Sequence, residues 1–448
     1  MNIQLNQARE WTRPVMPEEK PMKMFPNDGF PADVVVRKYG GSSLATTERI
    51  RAVAERVGSV HRSGQSVVVV VSAQGETTDN LLRLAAEFNP VLSGRELDQL
   101  LATGETSSAA LLAMALQGQG VPAAALTGPQ SGILAIGPHG AGIIVAVDTE
   151  RLVRLLRTGH VVVVAGFQGM TADGDVITLG RGGSDITAVA IAAELRTGRC
   201  EIYTDVDGVY TADPRVAPSA RVIPEVNVDV MTEMSFAGAR VVHSRAAELA
   251  ALYGVDIHVK HSSIKSPGTI IRGGDGGEML ESSVAVVAVV HDLDVARVTV
   301  RFRGINGDSA TDVFRFLAEK SVAVDMATLS DGTENGFSVG MTVRRNELGP
   351  VRRSLEAMAE RRSGTVEVND AVGKLSMVGT GLLSRSEYAA RMLTALTEAA
   401  IPASSMASSQ LRISVTVPAS EVVRAVGVLQ SEFGLDSTEN RVAPIHQF

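Results

Sequence analysis

From Asp33 onward, short unbroken apolar runs alternate with stretches in which apolar residues recur every three or four positions. "DVVVRKYGG" is followed by "TTERIRAVAERVGSVHRSG", and "QSVVVVVSAQG" by "TTDNLLRLAAEF". A strand that is apolar at every position has both faces buried, so this grammar predicts parallel strands joined by helical crossovers. It recurs in "VDTERLVRLLRTGHVVVVAGFQG" and "RTGRCEIYTDVDGVY" and continues to about Ile271, which predicts a single α/β domain over 33–280.

The polar, glycine-rich "RGGDGGEMLESS" breaks the pattern and reads as a linker. Beyond it the chain repeats itself. "VARVTVRF", "TDVFRFLAEKSVAVDMATLS", "NGFSVGMTV" and "LGPVRRSLEAMAE" are answered by "GKLSMVGT", "YAARMLTALTEAAIPASSMASS", "LRISVTV" and "ASEVVRAVGVLQSEF". Both copies predict strand, helix, strand, strand, helix and a short closing strand, over 292–366 and 370–441. Two copies are too few for a solenoid, so a paired regulatory or dimerisation region is the better reading. Residues 1–32 hold mixed charge and no apolar stretch of signal-peptide length, and read as a mobile tail.

Composition narrows the partners. Charged residues are 21% of the chain, the formal net charge is −8, and aromatics are only 4%. That balance argues against a nucleic-acid or anionic-membrane surface, so any phosphate ligand is small and locally held. The longest apolar runs, "SVVVVVSA" and "HVVVVAGF", are strand-sized and far short of the ~20 residues of a membrane helix. A single cysteine, Cys200, excludes an intrachain disulfide and makes a reducing cytoplasm the simplest compartment.

Three glycine-bearing turns follow strands. In "KYGGSS", Gly40 and Gly41 let backbone amides approach an anion, Ser42 follows them, and Lys38 supplies a point charge; an ordinary tight turn is the bland alternative. In "VSAQGETTDN", Ser72, Thr77 and Thr78 stand at a strand end, where helix capping explains the hydroxyls as well as ligand binding does. "LGRGGSD" is neither a Walker A loop nor G-x-G-x-x-G. Its Arg181 can clamp a carboxylate or phosphate bidentately, while Ser184 and Asp185 stand at a helix mouth, where Asp185 can also be a simple cap. Three such turns at successive strand ends would converge where open α/β sheets bind ligands.

A fourth segment, "YTDVDGVYTADPR", is no EF-hand, because Gly208 is fourth from Asp205 and no Glu closes a twelve-residue loop. It fits a nucleotide-facing loop in which Tyr210 stacks or hydrogen-bonds and Arg215 reaches phosphate, or else an Asp-rich surface turn. Glu105, after Gly104, is expected at a helix start with its carboxylate turned inward. His243, His258 and His261 lack metal-site spacing, and no residue is assigned to a metal.

Together "KYGGSS", "VSAQGETTD", "AGFQG", "LGRGGSD", "YTDVDGVYTADPR" and "PGT" resemble the signatures of the aspartate kinase family, from about Val34 to about Asn440. The resemblance implies an amino-acid-kinase-like three-layer α/β sandwich with a mainly parallel sheet, followed by two βαββαβ ACT-like modules. It implies ATP-dependent phosphorylation of the side-chain carboxylate of L-aspartate, the first step of aspartate-family amino acid biosynthesis or of a specialised branch, with Mg²⁺ bridging the ATP phosphates. By position, Lys38 would lie beside the transferred phosphoryl group with Asp185. Thr78, Glu105, Phe167, Arg181 and Ser184 would hold the amino acid. Gly40, Gly41, Ser42, Thr204, Asp205, Tyr210, Arg215 and Arg240 would line the ATP site. A homo-oligomer through the ACT-like modules and an amino-acid effector there are further implications.

The chain departs from that pattern in several places. Arg240 stands after "EMSFAGA" where the family usually has lysine, "VVHSR" replaces a His-Pro pair, and "IGPHGAGII" lacks an arginine before His-Gly. Both ACT-like copies lack the usual Pro-Gly turn, carrying "INGDSATDVF" and "GLLSRSEYAARM" instead, which predicts weak or altered feedback by lysine or threonine. Two rivals remain: a kinase of this fold acting on a related amino acid, and a non-catalytic sensing subunit.

Overall fold

The computed structural model describes residues 33–89, 94–273, 286–302, 308–320, 322–333, 336–380, 382 and 386–436. The expected N-terminal tail, most of the expected linker and the two turns that lack Pro-Gly, at 305–307 and 383–385, lie outside them.

The first unit runs β1 (Val34–Tyr39), α1 (Thr47–Arg62), β2 (Ser66–Val71), α2 (Thr77–Phe88), α3 (Arg95–Gln117), β3 (Ala123–Leu126), β4 (Ile133–Ile136) and β5 (Ile143–Val147). It continues through α4 (Glu150–Arg157), β6 (Val161–Ala165), β7 (Gln168–Met170), β8 (Val176–Thr178), α5 (Gly183–Glu194), β9 (Arg199–Thr204) and β10 (Glu225–Asn227). α6 (Val228–Ala237), α7 (Ser244–Tyr253), β11 (Asp256–His261) and β12 (Thr269–Arg272) complete it.

Eight of these strands form one sheet in the order β10-β12-β11-β9-β1-β2-β6-β3, parallel except where β11 meets β12. The valine runs explain the layering. Val68, Val70, Val162 and Val164 point to the side of α5, packing with Ile186 and Ile191. Val67, Val69, Val71, Val161 and Val163 point the other way, against Val53 of α1 and Leu112 of α3. Each strand thus feeds two cores at period two, which makes the sandwich three layers thick. A smaller sheet, β5-β4-β7-β8, lies against α3 and α5.

The remaining elements are β13 (Val286–Asp292), β14 (Val295–Phe302), α8 (Asp308–Glu319), β15 (Val324–Thr333), β16 (Gly336–Arg344), α9 (Arg345–Glu360) and β17 (Gly364–Asn369). β18 (Val372–Gly379), α10 (Ser386–Glu398), β19 (Ser404–Ser408), β20 (Arg412–Pro418) and α11 (Val422–Glu432) follow. They form two four-stranded sheets, β15-β16-β14-β17 and β13-β18-β20-β19. The two sheets have one topology but unequal chain paths. β17 closes the first copy beside β14, whereas beside β18 that place belongs to β13, which precedes the first copy. The second copy's expected closing strand falls in 437–441, outside the described residues.

Charge ties the units together. Asp325 of β15 takes both terminal nitrogens of Arg412 at 3.0 Å and the Lys374 ammonium at 2.9 Å. Arg412 Nε reaches Glu233 of α6 at 3.1 Å. Burial alone would raise the Asp325 carboxyl, but its two cations hold it well below the usual carboxylate range.

Candidate active site

β1 is central in the large sheet, so the turn after it opens where neighbouring strands end together. Alternation sends Arg37 and Tyr39 to one face and Lys38 to the other, toward α5. There Lys38 Nζ lies 2.7 Å from Asp185 Oδ1, with both side chains largely buried. The contact is an ion pair by distance, yet Oδ1 accepts no directed hydrogen bond.

Backbone bonds draw the neighbouring turns onto this pair. Gly40 N donates to Tyr203 O at 3.3 Å, beside Thr204, and Gly75 N donates to Gly41 O at 3.1 Å. A Cβ on Gly41 would stand 2.6 Å from the Ala73 carbonyl oxygen, so only glycine permits this approach. The Ala73 amide in turn donates to Glu105 Oε1 at 3.0 Å. Ser42 sits in a 3-10 turn, Gly41–Leu44, and Thr78 is half-buried in the first turn of α2.

Glu105 is not at a helix start. α3 begins at Arg95 and passes through Gly104 unbroken. A mid-helix glycine costs only about 1 kcal/mol, and the packing of Ala109, Leu112 and Leu116 against the sheet outweighs it. The inward orientation is as expected: Glu105 is 3% exposed. Its Oε2 is buried without a partner, and burial pushes its carboxyl up to about 7, against the opposing pull of the Ala73 amide.

The turn before α5 is held from beneath. Gly182 has φ +70°, and a Cβ there would overlap the His243 ring at 2.3 Å. Phe167 adopts φ +69°, a strained conformation for a bulky residue, and its carbonyl accepts from Leu179 N at 2.9 Å. Ser184 and Asp185 are both 7% exposed, while Arg181 is exposed, with no hydrogen bond or ion pair to any described residue. Sequence reasoning passed over His243 as ordinary; its place as cap of α7, accepting from Arg245 N, was the available signal.

The nucleotide-side residues are more dispersed. Thr204 Oγ1 donates to Asp205 Oδ1 at 3.1 Å, and Tyr210 Oη donates to Asp207 Oδ2 at 3.3 Å. Arg215 is 83% exposed and fastened to Asp213 through Nε at 3.0 Å and a terminal nitrogen at 2.8 Å. Arg240 is exposed after α6, and its charge bears on His291 of β13 together with those of Asp213 and Arg215. Among the described residues no three His, Cys, Asp or Glu side chains gather as a metal site. A cleft of about 470 Å³ along α3, lined by Thr103, Thr106, Thr127 and Gln168, lies beside this site rather than in it.

Known proteins match this arrangement. The amino acid kinase family model covers residues 33–261, and an ACT domain model covers 375–433. The chain is 42% identical over 416 residues to the aspartokinase of Mycolicibacterium smegmatis, spanning 91% of this chain and 98% of that protein. Among solved structures, the aspartate kinase of Synechocystis is 35% identical with a TM-score of 0.51, covering 90% of this chain and 69% of that one. Escherichia coli aspartokinase III in complex with aspartate and ADP, at 22% identity, shares the fold with a TM-score of 0.75, over 89% of this chain and 99% of its own.

Proposed function

The chain belongs to the amino acid kinase family and, within it, to the aspartokinases, and on that premise we propose that it transfers the γ-phosphoryl group of ATP to the side-chain carboxylate of L-aspartate. The observation that carries the assignment is the contact of Lys38 with Asp185 at the mouth of α5. It places a cation where the glycine turns and the strand ends converge.

Transfer to a carboxylate needs positioning and charge neutralisation rather than a protein nucleophile. The acceptor is already ionised at neutral pH, so no general base is required. Lys38 faces the phosphoryl oxygens as charge spreads over them, and Asp185 keeps the ammonium in place. Arg181, free of any described partner, takes the α-carboxylate as a bidentate clamp. The unpartnered Oε2 of Glu105 accepts from the α-ammonium, with Thr78, Phe167 and Ser184 closing the pocket around the substrate.

Gly40, Gly41 and Ser42 bring backbone amides toward the phosphates, and Thr204, Asp205, Tyr210, Arg215 and Arg240 flank the nucleotide. Magnesium would be held chiefly by the ATP phosphates, since Asp185 Oδ1, 2.7 Å from Lys38 Nζ, is already engaged with that ammonium. When bound, the ion neutralises charge on the phosphates. The paired C-terminal modules serve an amino-acid effector and self-association, and the chain works in the cytoplasm.

The test is to incubate the protein with ATP, magnesium and hydroxylamine, which traps an acyl phosphate as a hydroxamate, using aspartate, glutamate and acetate in turn. Aspartate alone should give product; equal product from acetate would show that Arg181 and Glu105 select nothing.

A further inference from the structure

Asp98 in the first turn of α3 is 1% exposed, and nothing in the reaction as described employs it. Its carboxylate is nonetheless fully engaged. Oδ1 accepts from Thr178 Oγ1 at 2.7 Å; Oδ2 accepts from Thr178 N at 2.9 Å and Gly140 N at 3.1 Å, and lies 2.8 Å from His139 Nδ1. A buried carboxylate is tolerated only when its lone pairs are used, and here all of them converge on two loops.

Thr178 is the last residue of β8, three positions before Arg181. The chain between them is pinned on every side. Thr178 O accepts from Gly142 N at 2.8 Å, Leu179 N donates to Phe167 O, and Arg245 spans the two loops through Leu179 O at 2.7 Å and Gly142 O at 2.9 Å. Beyond Leu179 the chain leaves the core, with Gly180 half-buried and Arg181 exposed.

Asp98 and Glu105 are seven residues apart on one helix. Seven residues are two turns, so both carboxylates lie on the same side of α3, about 10 Å apart along its axis. α3 therefore carries the group that faces the acceptor's ammonium and also the anchor of the turn that carries the guanidinium. We propose that Asp98 is a positioning residue that holds Arg181 opposite Glu105, so that the two grip the α-carboxylate and the α-ammonium of one acceptor together. The proposal rests on the aspartate kinase reading of this site.

The experiment compares the full-length wild type with Asp98→Asn, measuring KM for aspartate and for ATP and the ratio of kcat/KM for aspartate over β-alanine, which lacks the α-carboxylate. Asn keeps the volume but turns one acceptor into a donor. The expected result is a rise of about tenfold in KM for aspartate and a fall of similar size in the ratio, with KM for ATP unchanged. Unchanged KM for aspartate, or aspartate and ATP KM values rising together with the ratio intact, overturns it, because a purely structural residue would behave so. If Asp98→Asn does not fold, Thr178→Val removes only the Oγ1 bond and is read the same way, with a shift of about threefold. Absence of wild-type activity on aspartate overturns the reading of the site itself; an active wild type with an unaffected variant overturns the inference alone.

Discussion

Lys38, one residue from the end of β1, and Asp185, in the first turn of α5, meet at 2.7 Å between the sheet and the helix that covers it. Removing one member of a buried pair leaves the other charge uncompensated, typically at a cost of about 3 kcal/mol. Asp185→Asn should therefore lower thermal stability. Bound ATP brings phosphate charge to the abandoned ammonium, so the nucleotide should raise the melting temperature more in the variant than in wild type. An equal or smaller shift in differential scanning fluorimetry would place the phosphates away from Lys38.

Much of this site was legible along the chain, for particular reasons. "VVVVV" is strand-length and β-branched throughout, which points to a strand buried on both faces, and glycine turns at the ends of parallel strands open on one side of the sheet. What stayed hidden depends on tertiary packing. Glu105 follows a glycine, so a helix start was the natural expectation, and only contacts with the sheet show α3 running through. Asp98 carries no motif; its role is visible only when Thr178 and His139, far along the chain, arrive beside it. The exchange of β13 into the second module's sheet is a matter of chain path, to which hydrophobic periodicity is blind.

Glu105 gives a pH signature. In the folded protein its proton is held to about pH 7, whereas the ordinary value is 4.5, so the folded state binds the proton more tightly. Stability attributable to this group is present below about 4.5 and declines as pH rises toward 7. Glu105→Gln, which never acquires the buried charge, should be more stable than wild type above pH 7 by about 1–3 kcal/mol, the gap closing toward pH 4.5. In wild type, KM for aspartate should rise as pH falls below 7, since the neutral carboxyl no longer attracts an ammonium. Thermal unfolding and aspartate kinetics from pH 5.5 to 8.5 measure both.

Arg412 bridges three units, with Asp325 on one side and Glu233 on the other. Arg412→Ala should cost about 2–3 kcal/mol, with a coupling energy to Asp325 near 1 kcal/mol in a double-mutant cycle. Lys374 stays on Asp325 in the variant and limits the loss. A cost within about 0.5 kcal/mol of zero in denaturant unfolding would mark the contact as an ordinary surface pair.

The ACT-like modules lack the Pro-Gly turns that the resemblance leads one to expect, in "INGDSATDVF" and "GLLSRSEYAARM". Feedback by lysine or threonine should accordingly be weak or absent. Titrating each amino acid into the kinase assay up to the millimolar range checks this, and clear sub-millimolar inhibition by either would contradict it.

The central claim is that Lys38 presents the phosphoryl group to the side-chain end of an aspartate whose α-groups are held by Arg181 and Glu105. The most direct measurement is the identity and yield of the hydroxamate formed from aspartate by wild type and by Lys38→Ala. The account predicts the side-chain hydroxamate alone from wild type and none above background from a folded Lys38→Ala. Near-normal yield from that variant, or trapping at the α-carboxylate, would contradict it.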